Sequence, residues 1–591
     1  MKNPRKNRFG VKVKPKNFKK SILRLWGYFQ EEKKMLSIII LLIIVDTVAV
    51  ILAPYLIGKA VDLIQIKDTN LLRITLIALF LFYFIDTIIT IVENVIIFGI
   101  SQRIVKQMRN RLFTKLQNLP VSYFDKSSNG DIMSRLANDV DNISTGISDS
   151  IANLISGTLS IVLTITIMIY LSPLLTLCTI ISIPFVFILT KFITKKTQVL
   201  FKMQQVELGQ LNGHIEEMIS GINIVKAFNY EEKSINHFKQ INKDMLKVST
   251  TAQIYSSLLM PMTNVINNIA FALISVVGAM LVTKNILTVG VIATFLSYSK
   301  SFARPLNSLA NLFNDLQSAL AGCERVFEIL DEQEEKEDRK DCVKFDELKD
   351  NITFNNIYFG YKENENIIKN ISLKIKANTS NAIIGETGSG KTTIVNLITR
   401  FYDVNKGSIN IDGVNIRDYC KDSYRNAFGV VLQDSYLFSE SIIENIRYGN
   451  LNATDNEVVD ACKNVGAHNF ILKLKDGYNT IINESGQELS QGQRQLLTIA
   501  RCILKEPKIL ILDEATSSVD TKTELKIQET MLEIMKGRTT FIIAHRLSTI
   551  RNCDNIIVIQ NGQISEMGNH EELMKLKGYY YNNVNILNHI K

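Results

Sequence analysis

The sequence predicts an all-α domain of six transmembrane helices followed by an α/β domain of the P-loop, nucleotide-binding type. Long apolar runs are confined to the first half of the chain, whereas short β-rich runs begin near residue 351. A glycine-rich stretch, GETGSGKTT at 385–393, lies within the second half. The chain has 591 residues, of which 46% are hydrophobic, and that length is enough for more than one domain.

Shifts in composition along the chain predict four parts. In chain order they are a basic cytoplasmic segment at 1–34, a six-span transmembrane domain with intracellular arms at 35–329, a linker at 330–350 and a nucleotide-binding domain at 351–591. The linker is charged and lacks an apolar period, which predicts a solvated segment.

The basic N-terminal segment accounts for much of the net charge of +9. Lys and Arg residues ahead of the first apolar run, which begins at Met35, favour a juxtamembrane segment held on the cytoplasmic side. We therefore expect no nucleic-acid partner, which is the other use of a basic arm. The seven cysteines are scattered without CxxC spacing. This predicts neither a zinc site nor a disulfide framework and fits a reducing, cytosolic setting.

Six apolar runs are long enough to cross a bilayer, which takes roughly 20 helical residues. They lie at 35–57, 74–100, 151–171, 174–194, 258–282 and 287–309. The links after the second and fourth runs are long and rich in Lys and Arg, so these links and the N-terminus are predicted on the cytosolic side. Both links keep helical periodicity, which predicts that the membrane helices continue as stalks. Turn residues interrupt the links at 120–136 and 220–233, where a short helix at each tip could dock on the soluble half.

Charged side chains within the spans are costly and therefore informative. Asp46 lies midway along the first span, and Asp86 and Glu93 share one face of the second. One interpretation is structural, with ion pairs or a water-filled vestibule accounting for the charges. The other is functional, with these acids facing a translocation cavity and favouring cationic cargo.

The stretch 385–393 satisfies the pattern G-x-x-x-x-G-K-[ST] between an apolar strand and a helical run. Backbone N–H groups of such a turn wrap phosphate oxygens. Lys391 would supply a cation to the phosphates, and Thr392 a hydroxyl to Mg²⁺. The residues predicted to bind ATP here are Gly385, Glu386, Thr387, Gly388, Ser389, Gly390, Lys391, Thr392 and Thr393.

Polar side chains follow three other apolar runs. The run KILIL ends in Asp513, placed to hold Mg²⁺ through water, and Glu514, placed to polarise an attacking water. His545 follows FIIA and could reach a terminal phosphate, and Gln433 follows VVL and could touch Mg²⁺ or water. Tyr361, upstream of the phosphate loop, could stack on a purine, although a core aromatic fits the pattern about as well.

In this order, the motifs resemble the nucleotide-binding domain of ATP-binding cassette (ABC) transporters. LSQGQ at 489–493 is similar to the family signature, and SSVD, which ends at Asp520, resembles the D-loop. FD at 124–125 and SGINIVKAF at 220–228 resemble the coupling segments of the exporter membrane domain. One membrane domain followed by one cassette resembles the half-transporter layout of bacterial multidrug exporters.

The resemblance implies that two cassettes close head to tail around two ATP molecules. Each ATP would lie between the phosphate loop of one cassette and the signature of the other. The implied signature residues are Ser490, Gln491, Gly492 and Gln493. Closure would switch the membrane helices from inward to outward facing, and hydrolysis would reset the dimer. Glu514 is the implied general base, acting with Lys391, Gln433 and His545.

This chain departs from the family's usual signature, Leu-Ser-Gly-Gly-Gln, by placing Gln491 at the third position. Its own Lys391, Asp513, Glu514 and His545 are intact. That combination resembles the catalytically intact subunit of a heterodimeric exporter, so a second, different half-transporter is the favoured partner. A homodimer that tolerates Gln491 is the alternative.

The sequence thus predicts an ATP-hydrolysing exporter subunit with ATP and Mg²⁺ as cofactors. It would move amphipathic small molecules, drugs among them, out of the cytoplasm or inner leaflet. A lipid flippase or peptide exporter working as a homodimer is the alternative, and an ATP-gated channel could share the layout. The predicted spans exclude a soluble DNA-associated ATPase. Asn-, Lys- and Ile-rich usage favours a low-GC bacterium, so we expect a multi-pass protein of the bacterial plasma membrane with its cassette in the cytoplasm.

Overall fold

The computed structural model describes residues 17–362, 365–432, 435–483, 488–513, 521–543 and 550–589. Side chains in these ranges are described except at 149–151, 302–311, 313–314, 521–524 and 586–589. The chain forms two compact units. The membrane unit contains the chain up to Asn118 together with Ser128–Gln333, and the cassette unit contains Leu119–Ser127 together with the chain from Glu334 onward.

Helices build the membrane unit. In chain order the helices up to residue 330 are α1 Phe18–Phe29, α2 Lys33–Ile66, α3 Thr69–Asn118, α4 Val121–Lys126, α5 Asn129–Ser134, α6 Val140–Thr145, α7 Ala152–Leu171, α8 Pro173–Ser220, α9 Ile222–Ala227, α10 Glu231–Ser257, α11 Leu259–Thr283 and α12 Val289–Leu330. Of these, α4 belongs to the cassette unit. Two π-helical turns, Arg135–Asp139 and Gly146–Ile151, flank α6.

Five helical stretches of the described chain are long and apolar enough to cross a membrane, and they contain α2, α3, α7, α8 and α11. Between 6% and 22% of their most apolar windows is buried. Most apolar side chains of these helices therefore face outward, as lipid contact requires. The sixth predicted span, 287–309, lies within the continuous helix α12 from Val289 onward. Many of its side chains lie outside the described ones, so the count of six spans stays a prediction.

The long links are helical, as their periodicity predicts. α3 has 50 residues and α8 has 48. At about 1.5 Å per residue, each helix is more than twice as long as a bilayer core of ~30 Å requires. Both therefore extend beyond the predicted spans as stalks. A short helix follows at each tip, with α4 beginning after Pro120 and α9 after Gly221.

The helices α2 and α12 approach each other to backbone contact. A Cβ added to Gly58 would lie 2.4 Å from the carbonyl oxygen of Gly290, and one added to Gly290 would lie 2.1 Å from that of Gly58. The carboxylate of Asp62 accepts hydrogen bonds from the Gly290 N–H at 2.6 Å and from the Thr288 hydroxyl at 2.7 Å. An acid at the N-terminus of α12 is favourably placed, and here it also joins the two helices.

The described residues of the cassette unit form two sheets. Their strands are β1 Asn351–Phe359, β2 Ile368–Lys376, β3 Ser380–Gly385, β4 Lys406–Ile411, β5 Val414–Asn415, β6 Phe428–Val431, β7 Ile509–Asp513, β8 Thr539–Ile543, β9 Asn555–Gln560 and β10 Gln563–Gly568. The antiparallel sheet has the order β2-β1-β4-β5, and the second has the order β10-β9-β3-β8-β7-β6. In the second, all neighbours pair parallel except β10, which pairs antiparallel with β9 at the edge.

Helices cover the second sheet. They are α13 Lys391–Ile398, α14 Lys421–Asn426, α15 Ile442–Arg447, α16 Asp455–Asn464, α17 His468–Ile471, α18 Gln491–Leu504, α19 Thr521–Met535, α20 His570–Leu576 and α21 Tyr579–His589. One hydrophobic core includes Leu497, Leu510 and Ile527, and another includes Ile352 and Ile383. The central strands are buried along nearly their full length, which explains why their sequences are continuous apolar runs rather than alternating ones.

Residues 335–348, here called the strap, are mostly exposed, but two apolar side chains of this predicted linker are buried. Phe345 and Leu348 are only 5% and 6% exposed and join the core between the sheets. Glu335 accepts two hydrogen bonds from the guanidinium of Arg425, at 2.5 and 3.1 Å. Docking of the strap leaves no local pattern in the sequence, because Arg425 lies 90 positions after Glu335.

Cys342 and Cys420 form a disulfide, contrary to the prediction from spacing. They are 78 residues apart in sequence, and their Cα atoms lie 5.0 Å apart, within the range of bridged cysteines. The strap brings them together, since the N–H of Val343 donates to the carbonyl of Asp418 and the N–H of Cys420 donates to that of Val343, both at 2.9 Å. A pairing made by docking leaves no trace in the spacing along the chain.

Candidate nucleotide-binding site

The phosphate loop joins the end of β3 to the start of α13. Gly385, Gly388 and Gly390 have φ values of +153°, +84° and +107°. A Cβ added to Gly390 would lie 2.7 Å from the side chain of Ile368, and one added to Gly385 would lie 2.2 Å from the carbonyl oxygen of Ile559. Backbone conformation and space therefore both require glycine at these two positions.

Lys391 folds back over the loop. Its ammonium donates to the carbonyls of Gly385 at 2.8 Å and Glu386 at 2.9 Å, and the residue is only 8% exposed. Burial lowers the pKa of the Lys391 ammonium, and the charge of Asp513 opposes that effect. The two carbonyls hold the cation beside the loop, where it can meet phosphate oxygens.

The hydroxyl oxygen of Ser389 is buried and has no hydrogen-bond partner within the described part of the chain. An unsatisfied buried hydroxyl costs free energy, and a phosphate oxygen in the loop would satisfy it. Thr392, the expected Mg²⁺ ligand, is exposed in the first turn of α13, whereas Thr393 is 5% exposed. The residues present thus fit a nucleotide phosphate and its metal ion.

The predicted metal ligand Asp513 lies at the same sheet edge as the phosphate loop. Parallel pairing places the carboxyl ends of β3, β6, β7 and β8 at one edge. Gly385 ends β3, and Asp513 ends β7, where it pairs with Ile543 of β8. Among the described strands, β8 alone separates the two strands carrying these residues, so both residues lie at one edge of the sheet.

Four of the predicted site residues lie outside the described residues. Gln433, Glu514 and His545 follow β6, β7 and β8 in sequence, and Asp520 follows Glu514 within the same undescribed segment. The strands that precede them end at the nucleotide edge of the sheet. Their roles therefore stay predictions that the topology allows.

Tyr361 lies beside α13. Its hydroxyl is 3.4 Å from that of Thr393 and accepts a hydrogen bond from the Asn396 amide at 3.2 Å. Its ring meets those of Phe359 and Tyr402 edge-on, with centroid distances of 5.0 Å in both cases. This arrangement suits an aromatic that supports the phosphate-loop helix. Stacking of Tyr361 on a purine stays a prediction.

The signature residues begin α18. Ser490 is the N-cap, and its hydroxyl accepts from the Gln493 N–H at 3.3 Å while the Gln493 side chain accepts from the Ser490 N–H at 2.9 Å. This reciprocal pair is a capping box, which satisfies two backbone N–H groups at the start of α18 that have no partner within the helix. Gln491 is the first helical residue and is half-buried, and Gly492 is buried. The local sequence thus suffices to present Ser490 at an exposed helix N-terminus.

The tip helix α4 docks on the cassette unit, as the sequence predicts. The hydroxyl of Tyr402 donates a hydrogen bond to the carboxylate of Asp125. Burial, followed by this bond and the Asp125 charge, raises the pKa of Tyr402 above its ordinary value. Through the ring of Tyr361, these contacts continue to Thr393 on α13. Docking of the other tip helix, α9, stays a prediction.

Asp46, Asp86 and Glu93 lie near one another on α2 and α3. All three are half-buried, and the charges of Asp86 and Glu93 act on Asp46. One carboxylate oxygen of Asp46 is buried without a hydrogen-bond partner in the described chain. The three acids are therefore gathered along one seam, although their assignment to a cargo cavity stays a prediction.

Sequence reasoning missed the connection between the strap and the phosphate-loop helix. Arg425, which binds Glu335, also donates to the carbonyl of Arg400 at 2.8 Å, two residues after the end of α13. Burial alone would raise the pKa of Glu335, but the Arg425 bond and the charges of Lys421 and Arg400 lower it. The sequence shows acidic residues in the strap and basic residues around Arg400 and Arg425, but charge alone does not specify which of them meet.

Comparison with known proteins decides the family. Over residues 36–306 the chain matches the family described as ABC transporter transmembrane region, and over residues 368–517 it matches the family described as ABC transporter. It is 42% identical over 570 residues to the uncharacterized ABC transporter ATP-binding protein YfiC of Bacillus subtilis (strain 168), covering 96% of this chain and 94% of that protein. The chain belongs to the ABC transporter family.

This ABC half-transporter has further similar proteins. It is 41% identical over 480 residues to a fatty acid ABC transporter ATP-binding/permease protein of Mycobacterium tuberculosis (strain CDC 1551 / Oshkosh), covering 81% of this chain and 76% of that one. Its structure resembles that of a bacterial Atm1-family ABC exporter with ATP bound, with a TM-score of 0.73 and 28% identity. That match covers 93% of this chain and 97% of the other.

The comparisons confirm the predicted fold and class. The chain is an ABC exporter half-transporter, a multi-pass membrane protein whose nucleotide-binding domain lies on the cytoplasmic side. It carries an ATPase domain coupled to transport and binds ATP. Like the exporters it resembles, it works as a dimer in the lipid bilayer.

Proposed function

We propose that this ABC exporter subunit pairs with a second, different half-transporter and supplies the catalytic residues of the better of two unequal ATP sites. The phosphate loop carries this proposal, because Lys391 is preorganised on the carbonyls of Gly385 and Glu386. The signature, by contrast, has Gln491 where the family usually has glycine. The competent site would then join the phosphate loop of this chain to the signature of the partner.

In the competent site, N–H groups of the loop and the start of α13 bind phosphate oxygens, and Lys391 neutralises their charge. Glu514 would polarise the attacking water, His545 would reach the terminal phosphate, and Gln433 would touch Mg²⁺ or water. Thr392, Gln433 and Asp513 would hold Mg²⁺, which would neutralise phosphate charge. No covalent intermediate is needed, since positioning and charge stabilisation carry phosphoryl transfer.

The dimer composition is tested by purifying the chain alone. We expect weak ATPase activity, and we expect Gln491→Gly to raise it, because glycine permits a closer approach to the partner's nucleotide. Gln495→Gly is not a suitable control, since Gln495 is buried in α18. The exposed Gln563→Gly on β10 is a better control and should leave the activity unchanged. Vigorous activity of a stable homodimer that Glu514→Gln abolishes would contradict the heterodimer.

We propose further that the cargo is an amphipathic small molecule that is neutral or cationic, drugs among them, moved out of the cytoplasm or inner leaflet. The seam formed by Asp46, Asp86 and Glu93 supports this choice. Three acids in a low-dielectric region attract a cation and disfavour an anion. The fatty acid relative supports a second candidate, an amphipathic lipid, which the same acids would repel in its ionised form.

The cargo class is tested by ATPase stimulation in lipid vesicles. ATPase stimulation is measured for the unsubstituted chain and for Asp46→Asn, Asp86→Asn and Glu93→Gln. The three compounds tested are a cationic amphiphilic dye, a neutral dye of similar size and a long-chain fatty acid. We expect the acid variants to lose stimulation by the cationic dye and to keep stimulation by the neutral one. Equal loss for both dyes would end the cation proposal, and stimulation by the fatty acid alone would favour the lipid candidate.

A further inference from the structure

An ion pair with a buried carboxylate joins α12 to the helical segment that follows α4. The guanidinium of Arg325 grips the carboxylate of Asp139 with two hydrogen bonds, and the Nε–Oδ2 distance is 2.7 Å. The Asp139 side chain is 4% exposed and that of Arg325 is 37% exposed. Two parallel bonds fix both the distance and the orientation of the two groups.

The backbones around this pair are in close contact. A Cβ added to Gly322 of α12 would lie 3.1 Å from the carbonyl oxygen of Asp139, and one added to Gly146 would lie 2.2 Å from the Cβ of Ala319. Gly322 opposite Asp139, and Gly146 opposite Ala319, thus let α12 approach the backbone of this segment just before and just after α6. The helices cannot slide past each other there without losing these contacts.

A second arginine extends the connection toward α4. Arg135 donates to the carbonyl of Arg325 at 2.9 Å and to the Glu328 carboxylate at 3.1 Å, and also bonds Asp131 of α5 at 3.0 Å. Arg135 and Asp139 begin and end a π-helical turn. Such turns are uncommon and often occur where a helix serves a function.

The segment that carries Asp139 is covalently continuous with the docked tip helix. α4 ends at Lys126 within the cassette unit, and α5 begins at Asn129 within the membrane unit. The chain therefore passes from a helix held by the cassette, through α5, to a π-helical turn that is bonded to α12. Any displacement of α4 must be taken up by α5 or passed on through that turn to α12.

We propose that Asp139 and Arg325 are positioning residues that transmit the displacement of α4 to α12 during the transport cycle. The proposal rests on the proposed exporter function and on an alternating-access cycle, in which closure of the two cassettes switches the membrane helices from inward to outward facing. Neither residue touches ATP or cargo. Their pair ties α12 to the π-helical turn that follows α5 in a single register, so α12 moves when the cassette moves α4.

A role in stability alone explains the pair less well. Taking the Asp139 carboxylate out of water is costly, and apolar residues of similar volume often stabilise a fold as well as a buried charge or better. An ion pair with two parallel bonds is well suited to specifying one register between two elements. The neighbouring pair of Arg109 and Asp141 shows the contrast, since its side chains are 45% and 65% exposed and it joins α3 rather than α12 to this segment.

The test separates ATP turnover from the movement of α12. Lys300, an exposed residue of α12 within the predicted sixth span, is replaced in Lys300→Cys. The dimer is purified in lipid nanodiscs and labelled with a water-soluble maleimide, with and without ATP plus vanadate. Modification is read at residue 300 by mass spectrometry, so the native cysteines stay in place.

In the Lys300→Cys chain we expect ATP plus vanadate to change the labelling rate roughly threefold to thirtyfold, the range that typical coupling energies produce. Asp139→Asn should abolish this change while basal ATP turnover is retained. The matched control Asp141→Asn should keep both. The exchanged pair Asp139→Arg with Arg325→Asp should restore the change in labelling.

Three results would overturn the proposal. They are an unaltered labelling change in Asp139→Asn, a parallel loss of ATP turnover and labelling change in that variant, and a folded exchanged pair that restores nothing. Should Asp139→Asn fail to yield a dimer, Arg325→Lys takes its place, because it keeps the charge and loses the two-pronged geometry. If Lys300→Cys alone hydrolyses ATP without any labelling change, the alternating-access cycle fails instead.

Discussion

The hydroxyl of Tyr402 donates a hydrogen bond to Asp125, a residue 277 positions earlier in the chain. This bond holds α4 on the cassette unit. The Tyr402 ring also contacts the Tyr361 ring, whose hydroxyl lies 3.4 Å from that of Thr393 in the phosphate-loop helix. A change at the nucleotide therefore has a short path, through side chains in contact, to the segment that leads into the membrane unit.

We expect Tyr402→Phe to weaken docking of α4 by about 1 kcal/mol, since one hydrogen bond is lost while the ring contacts remain. Stimulation of the ATPase by a transported amphiphile should fall about fivefold relative to basal turnover. Asp125→Ala and the double variant should show about the same loss as Tyr402→Phe, because all three remove one interaction. Additive losses in the double variant would show that the two residues act separately.

Gly390→Ala should impair ATP binding more than it impairs folding. Both Gly390 and Gly413 have positive φ values, of +107° and +81°, but a Cβ at Gly413 meets nothing within 4 Å whereas one at Gly390 meets Ile368. We expect Gly413→Ala to cost about 1–2 kcal/mol of unfolding free energy and to keep ATP affinity. Gly390→Ala should show a similar backbone cost together with a loss of nucleotide binding, measured by titration with a fluorescent ATP analogue. Equal ATP affinity in the two variants would contradict the assigned loop geometry.

Ser490→Ala should lose ATPase activity beyond what the loss of a helix cap explains. Ser441 caps α15 with the same bond, its hydroxyl accepting from the Glu444 N–H at 3.3 Å. Each substitution should cost about 1 kcal/mol of unfolding free energy. Turnover should fall strongly in Ser490→Ala and stay near normal in Ser441→Ala. Unfolding free energy is measured by denaturant titration and turnover by steady-state ATP hydrolysis in both variants. Equal turnover in the two variants would contradict a role for Ser490 in the ATP site.

The strap should loosen as pH falls. The Arg425 bond and neighbouring cations hold the pKa of Glu335 below its ordinary value, despite burial. A carboxyl whose folded pKa is lowered stabilises the fold fully above its unfolded pKa, and that contribution is lost as pH falls through the folded value. Hydrogen exchange of residues 335–345, corrected for intrinsic rates, should therefore rise below about pH 4.5.

Glu335→Gln should remove this pH dependence and raise exchange of the strap already at pH 7. Glu337→Gln is the matched control, because Glu337 is exposed two residues further along the strap. It should behave like the unsubstituted chain at both pH values. A strap that keeps its acid-induced loosening in Glu335→Gln would assign the effect to another group.

The predictable parts of the site are local. The phosphate loop is one continuous stretch of sequence, which contains Gly385, Gly390, Lys391 and the start of α13. The sequence pattern therefore contains all of its phosphate-binding groups. The signature is local for the same reason, since Ser490 and Gln493 are three residues apart and form their own capping box. Apolar runs of membrane length predicted the long helices, because lipid contact imposes one composition along the whole span.

The strap and the disulfide could not be predicted in this way. Glu335 meets Arg425, and Cys342 meets Cys420, only after the strap has docked on a folded sheet. The charged composition that suggested a solvated linker also supplies ion pairs with distant residues. A composition rule reports the average environment of such a segment and cannot name its partners.

By itself, the sequence determined the order of the domains, the helical nature of the membrane unit and the chemistry of the phosphate loop. Only the tertiary structure decided which distant groups meet, as in Tyr402 with Asp125 and Arg325 with Asp139. The physical reason is that helix and strand patterns arise from neighbours along the chain. Contacts between elements depend on docking geometry, which many sequences of the same periodicity would satisfy differently.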